Sequence, residues 1–542
     1  MNFKRFFVAS LLTVAASGFY TQARDAETEW EKSPMTQAVM KSYSDMLTAN
    51  PKDYLVYFRR AGEYYNHNIY SKALADIDNA IKYTPQKEKD ILFQCYALRA
   101  SIYEQMEMSK EAIADLNSAL SIDPDSYTTR YQLANLEFET GDYAAAKADY
   151  QKLQRLNSRS QEALIGLARI AHTEGNSSQA DNYLDDAVAL NPSSPDSYTR
   201  RASVRRLMGN NAGAVDDYVS ALLIAKGSNI SRPLRELVEM SDADYTTVMK
   251  GLTDAINRSS LDGSLYYIRG VIAQSHFKYP QALADFNFIE RNNLLDTPSI
   301  YAAMAECYYA LGAYEEAVKN IDIAIGSTSR NIDYYVVKSD IKRAQKLYRG
   351  AIAAADRALS QDDDFAPALA AKGVAEIEFK LVTEGSTDLG KAVIAVRGDA
   401  YYNMLRAWAL KDFDNLPAKA DEYYDIVATL SDYAPTDVRS FRGFALLYTN
   451  HAAEGDAWME SVLKAAEASV DGEAEYYGAC YYSARGMNDK ALECMELSLK
   501  KGYANYHNWT ANDEARINVA PLRTLAQFNQ LLETYKSIFA ME

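Results

Sequence analysis

Five histidines are the first residues to weigh for chemistry: His67, His172, His276, His451 and His507. No two stand four apart on one helix face and no His-Glu-x-x-His run occurs, so a helical zinc site is not expected. A Gly-rich phosphate loop and a Gly-x-Ser-x-Gly elbow are also missing. The acidic run 361–365 (QDDDF) lacks the glycine and the spaced ligands of a calcium loop and reads as a solvated turn. Cys95, Cys307, Cys480 and Cys494 are too few for a disulfide framework. Cys480 and Cys494 could meet across a helical hairpin, with buried free thiols as the commoner alternative. No catalytic residue, metal ligand or cofactor is therefore assigned. What remains is recognition chemistry: Tyr131, Asn135, Arg169, His172 and Arg206, and further along Tyr267, Tyr309 and Arg343. An amide can pair with a peptide backbone, a guanidinium with a carboxylate, and rings can cover side chains. Whether these groups share a surface depends on the elements that carry them.

Those elements repeat. The stretch GDYAAAKADY (141–150) joins a turn directly to small residues at helical spacing. GAYEEAVKNI (312–321) has the same form, and NIYSKALADI (68–77) keeps it with Asn68 in place of the glycine. Ala134, Ala168 and Ala202 are spaced by one constant interval. In the first unit Tyr57, Ala61, Tyr64, Tyr70, Ala73, Ile77, Ala80 and Pro85 mark the pattern. It recurs as Tyr96, Ala100, Tyr103, Ala112, Leu116, Ala119 and Pro124, and again as Tyr301, Ala305, Tyr308, Gly312, Tyr314, Ala317, Ile321 and Ala324. A fixed period of this kind marks a repeat architecture.

By these residues the chain resembles the tetratricopeptide repeat (TPR) family, whose unit of about 34 residues is a pair of antiparallel helices. The resemblance implies an all-α, right-handed TPR solenoid of stacked helical hairpins. Small residues at positions 8 and 20 let the two backbones touch, and large ones at 4, 11 and 24 fill the space around them. Gly or Asn near position 15 permits the positive φ of the turn. It also implies a concave groove lined by first helices. The candidate lining is Tyr131, Asn135 and Phe138, then Ile165, Arg169 and His172, then Arg206. In the second array it is Tyr267, Glu306, Tyr309, Asp340 and Arg343, a more acidic set. The family's chaperone-binding version uses paired basic and Asn residues. This chain departs from it with Tyr131 where a Lys is expected and with Asp196 in the fifth unit.

The expected organisation is a signal peptide (1–23), a lead-in helix (24–52), a first array of about five units (53–226) and a helical linker (227–263). A second array of about three units (264–364), degenerate helices (365–440) and C-terminal units with a cap (441–542) follow. The unit beginning near Gly373 is expected to decay before its second helix. Asp513, Pro521, Leu522, Arg523, Phe528, Leu531 and Leu532 resemble a terminal cap, which a solenoid end needs.

Lys4 and Arg5 followed by the apolar run 6–16 and small residues at 16–18 and 21–23 read as an export signal. No cysteine precedes Cys95, so lipid attachment is not expected. The expected setting is the periplasm or envelope of a Gram-negative bacterium. A net charge of −17 argues against nucleic acid as a partner. No later segment is apolar and long enough for a membrane span. The sequence is thus read as a non-catalytic scaffold or adaptor that binds protein or peptide segments, with association to a membrane complex. The alternatives are a peptide- or glycan-binding protein tied to uptake, and an enzyme with its site in 365–440.

Overall fold

The computed structural model describes residues 33–225, 231–295, 297–430, 434–511 and 517–541. The export signal and Asp513 lie outside those residues. Among the described residues there are 28 α-helices, two short 3-10 helices and no strand. The fold is an all-α tetratricopeptide-type solenoid in which, within each of the two units described below, the helices of a hairpin pack on each other and on the next hairpin.

The hairpins follow from the residue pattern. Ala61 and Ala73, Ala134 and Ala146, and Ala305 and Ala317 are fully buried where the two helices of a unit approach. Each turn then needs one residue in the left-handed region. Gly141 has φ 86°, its N–H donates to the carbonyl of Phe138 at 3.1 Å, and Asp142 N–H donates to that of Glu137 at 2.8 Å. These bonds satisfy carbonyls at the end of the first helix. The same place in other units is taken by Glu107 (φ 59°), Phe277 (φ 59°), Lys346 (φ 61°) and Lys380 (φ 72°), against their intrinsic preference. Packing of the paired helices imposes the turn whatever residue stands there.

The chain divides between Arg235 and Glu236 into two compact units. The first holds the lead-in helix Pro34–Ala49 and five hairpins, from Tyr54–Asn66 to Asn211–Ala225. The division falls within the helical stretch Ser231–Arg258, which breaks at Asp244 (φ −148°, ψ 68°). The second unit holds seven hairpins, from Gly263–Ser275 to Asn488–Lys500, and then Tyr506–Thr510, Ala520–Thr524, Ala526–Thr534 and Lys536–Phe539. Leu522 and Phe528 of this terminal segment are buried, and Arg523 Nε donates to the carbonyl of Trp509 at 3.0 Å.

The unit at Gly373 corrects the sequence expectation. It does not decay: Ala366–Glu378 is followed by a full second helix, Val382–Ala395. The small contact residues are both glycines. A Cβ on Gly385 would stand 2.4 Å from the Gly373 carbonyl oxygen, so the backbones meet more closely than alanine allows. Gly443 and Gly455 pair in the same way two hairpins later, where a Cβ on Gly455 would lie 3.1 Å from the Gly443 oxygen.

A recurring ion pair also escaped the sequence reading. Arg60 with Asp76, Arg99 with Asp115, Arg201 with Asp217, and Arg269 with Asp285 form two-pronged bridges from first helix to second, the shorter prong 2.6 Å in each. The tyrosine three residues before each arginine lies under its guanidinium, at 5.5 to 5.9 Å. Each carboxylate is buried, and the guanidinium satisfies both of its oxygens, which is what makes such burial tolerable. Hydrogen bonding to Asp285 raises the pKa of Arg269, and Asp115 does the same for Arg99. The signal was an Arg and an Asp sixteen residues apart.

Candidate protein-binding site

The third and fourth hairpins lack that bridge. Leu133 and Leu167 stand where the arginine would be, and Arg130 instead reaches Asp149 from one turn earlier. The first helices of these hairpins, Tyr127–Glu139 and Gln161–Thr173, carry Tyr131, Asn135, Arg169 and His172. Tyr150, fully buried on the intervening helix Tyr143–Leu156, organises them. Its hydroxyl donates to Asn135 Oδ1 at 2.7 Å. Burial raises the Tyr150 pKa, and the nearby Arg169 charge opposes that rise. The Arg169 guanidinium lies 4.0 Å from the centre of the Phe138 ring. Phe138 in turn packs at 5.3 Å on Tyr143.

Arg169 differs from its neighbours in charge balance. Arg60, Arg99, Arg201, Arg205 and Arg269 each hold a carboxylate. Among the described residues Arg169 has none, and neither Glu139 nor Glu162 reaches it. Its cation rests on an aromatic face, an arrangement that leaves the planar edge able to meet a carboxylate. Asn135 keeps its amide N–H group, since only its oxygen is used. His172 is half-buried, with Nδ1 accepting and donating nothing. Tyr131 is half-buried beside this cluster. Arg206 is exposed near the end of the next first helix, Pro195–Leu207. The structure therefore brings Asn135, Phe138, Tyr150 and Arg169 into one patch.

The second set of candidates is corrected. Tyr267, Tyr309 and Arg343 are 8%, 3% and 5% exposed and cannot present an open groove. Tyr309 hydrogen-bonds His507 at 3.0 Å. Arg343 donates to Glu378 at 3.2 Å and lies 3.9 Å from Asp340. Glu306, also read as lining, is buried and accepts from Gln274 at 2.7 Å. Burial, with Asp333 nearby, drives its pKa far above the usual carboxylate range. Tyr309 is covered because this unit's later residues return onto its first hairpins, a contact between residues some two hundred positions apart that no local pattern encodes, whereas Tyr267, Arg343 and Glu306 are closed off by neighbouring helices, beside Phe286, Glu378 and Gln274.

The four cysteines are buried free thiols. Burial pushes Cys95 and Cys494 up to about 12, so neither offers a thiolate near neutrality. Among the described residues no group of three or more His, Cys, Asp or Glu is placed to hold a metal ion. None of the described helices is long and apolar enough to cross a membrane.

Comparison with known proteins agrees with the hairpin geometry. Residues 93–126 and 131–180 match models of the tetratricopeptide repeat. Among solved structures the chain is similar to yeast Tom70, at 14% identity over 77% of this chain and 100% of that one, with a TM-score of 0.35. It is similar to YrrB, described as a TPR protein with an unusual peptide-binding site, at 19% identity over 35% and 95% of the two chains (TM-score 0.28). A tetratricopeptide repeat protein from Parabacteroides merdae matches at 18% identity over 47% and 98% (TM-score 0.25). No curated protein matches the chain in sequence. The matched repeats and the hairpins that continue them identify the chain as a tetratricopeptide-repeat protein.

Proposed function

We propose that the protein is a non-catalytic scaffold of the bacterial cell envelope whose first unit binds an extended segment of a partner protein. The observation that carries this reading is Arg169, a cation without a carboxylate partner among the described residues, in a chain of net charge −17. It stands one repeat beyond Asn135 at the same position of the first helix. The Asn135 amide would hold a partner's main chain. Arg169 would pair with an acidic side chain or a terminal carboxylate, and Phe138 would cover apolar atoms between them. Arg206 on the next hairpin would extend the line. The envelope setting rests on the N-terminal pattern of Lys4 and Arg5, the apolar run and the small residues behind it.

A photo-crosslinking residue at Tyr131, used in cells and followed by mass spectrometry, tests the groove. It should capture one dominant partner. Arg169→Ala combined with Arg206→Ala should abolish that capture while the protein stays folded, and capture in extract should weaken with added salt. Equal capture by the double variant refutes the assignment.

A further inference from the structure

Glu306 is a carboxyl buried without a cation. It lies on Pro298–Ala310, within the unit that begins at Glu236, and touches the first helices of the hairpins on either side, Gly263–Ser275 and Ile332–Ala344. Its one side-chain hydrogen bond among the described residues comes from Gln274 Nε2, at 2.7 Å. Gln274 is 6% exposed, and its own Oε1 is buried with no partner. Asp333 stands in the first turn of Ile332–Ala344 and is half-buried. Its N–H donates to Asn331 Oδ1 at 3.1 Å, while its carboxylate has no hydrogen bond or ion pair among the described residues. The Tyr267 hydroxyl faces Ser299, with Tyr334 and Glu306 close enough to act on it. The Tyr334 hydroxyl makes no hydrogen bond among the described residues.

The charge acting on Glu306 is of its own sign. Burial raises its pKa far above the carboxylate range, Asp333 adds to the rise and Gln274 opposes it. Tyr279, Cys307 and Tyr267 are the other titratable groups that feel its charge. His507, brought to this helix by Tyr506–Thr510, is engaged by Tyr309 and Tyr314 instead, and Lys319 of the next helix pairs with Glu316 at the surface. Gln274, Glu306, Tyr334 and Tyr267 keep 5% to 8% exposure, whereas Ala303, Ala305 and Cys307 keep none. The polar groups therefore border a narrow recess, and the more exposed Asp333 marks its rim. Every one of them can accept a hydrogen bond. What the recess lacks is a donor that carries positive charge. The described residues place no group of His, Cys, Asp or Glu to hold a metal ion. An ammonium group fits better: it presents three N–H donors on a compact centre, and aromatic rings favour it.

We propose that this recess binds an alkylammonium group, which donates to Glu306, Gln274 Oε1 and the Tyr334 hydroxyl after Asp333 draws it in from the rim. A free polyamine and the lysine side chain of a peptide present the same group. Glu306 holds a proton in the empty site and gives it up when the cation arrives, so each binding event releases one proton. Affinity then rises with pH, by up to about tenfold per unit between pH 6 and pH 8, while the amine stays charged. This inference does not depend on the first-unit patch.

Titration calorimetry on the full chain tests it, with putrescine and with acetyl-glycyl-lysyl-glycinamide as probes. One of the two should bind saturably at a single site, with a heat that varies with the buffer's ionisation enthalpy as one released proton requires. Tighter binding of putrescine assigns a free amine, and tighter binding of the peptide assigns a partner's lysine. Glu306→Gln keeps the shape and should weaken binding at least tenfold; Asp333→Asn should weaken it by a smaller factor. Tetramethylammonium, which has the charge but no N–H, should bind at least tenfold more weakly than the better probe. The proposal is overturned if neither probe binds, or if Glu306→Gln binds as wild type does. It is equally overturned if wild-type binding releases no proton and does not change with pH, since Glu306 is then a protonated core residue that meets no ligand.

Discussion

Glu376 offers the sharpest test of how these hairpins tolerate polar groups in their cores. It lies on Ala366–Glu378 at the eleventh place of its repeat, where the pattern puts a large residue, and it is 5% exposed. Its Oε2 accepts no hydrogen bond. Burial raises its pKa from 4.5 to about 7; Lys372, with Nζ 3.8 Å away, opposes the rise, and Asp388 and Asp356 add to it. The folded chain therefore keeps a proton on Glu376 up to about neutral pH, while the unfolded chain loses it near 4.5. The stabilisation is complete below about pH 4.5 and is lost as the pH climbs through about 7. About 2.5 pH decades at about 1.4 kcal/mol each set a ceiling near 3.5 kcal/mol. Rearrangement of Lys372 and entry of water should reduce the realised effect to about 1–2 kcal/mol. Glu376→Gln keeps the shape and removes the titration. Urea unfolding followed by tryptophan fluorescence at pH 5 and pH 8 reads the difference. Trp408, Trp458 and Trp509 all lie in this unit, and Trp408 belongs to the next hairpin. Midpoints, not extrapolated free energies, should be compared, because a repeat array need not unfold in one step. The wild-type midpoint should fall from pH 5 to pH 8, and that of Glu376→Gln should fall distinctly less. Parallel pH dependence in the two proteins would refute the assignment of a buried, protonated carboxyl.

Gly385→Ala should cost about 2 kcal/mol or more in the same unfolding assay, since its Cβ meets backbone at 2.4 Å, whereas Gly326→Ala, with open space around it, should be neutral or mildly stabilising. Ala146→Leu should destabilise its unit by about 1–3 kcal/mol through overpacking, measured by thermal unfolding; a melt like wild type would disprove the repeat phasing there. Asp217→Ala removes the buried carboxylate shared by Arg201 and Arg205, leaving them the more exposed Asp185 and Asp181, and should cost about 1–3 kcal/mol, against about 0–1 for removing the exposed partner Asp196 of Arg200. N-terminal sequencing of the protein isolated from its native cells should find a chain beginning at roughly residue 18 to 25; a folded protein that retains Met1 would remove the envelope proposal.

What could be read from the sequence was whatever the hairpin repeats locally. Ala134 and Ala146 announce a contact because both small residues serve the same pair of helices, and Gly141 announces a turn because the φ it needs suits glycine. The decay expected after Gly373 does not occur, because Gly385 takes the second small place and brings the two backbones closer than alanine could. The Arg–Asp bridges were passed over because each residue alone looks like a solvated surface charge; only their constant separation and the tyrosine beneath reveal burial. For the candidate surfaces the contrast is sharper. The Asn135–Arg169 patch depends on adjacent hairpins, and the repeat fixes adjacent hairpins. Tyr267 and Arg343 are closed off by neighbouring helices, and the fate of Tyr309 depends on where residue 507 lies relative to residue 309. That relation accumulates from small rotations over several hairpins, and no single unit encodes it. A groove position in a solenoid is therefore a statement about direction, not about access. Direction follows from the unit, while access follows from how far the unit has been repeated before the chain meets itself.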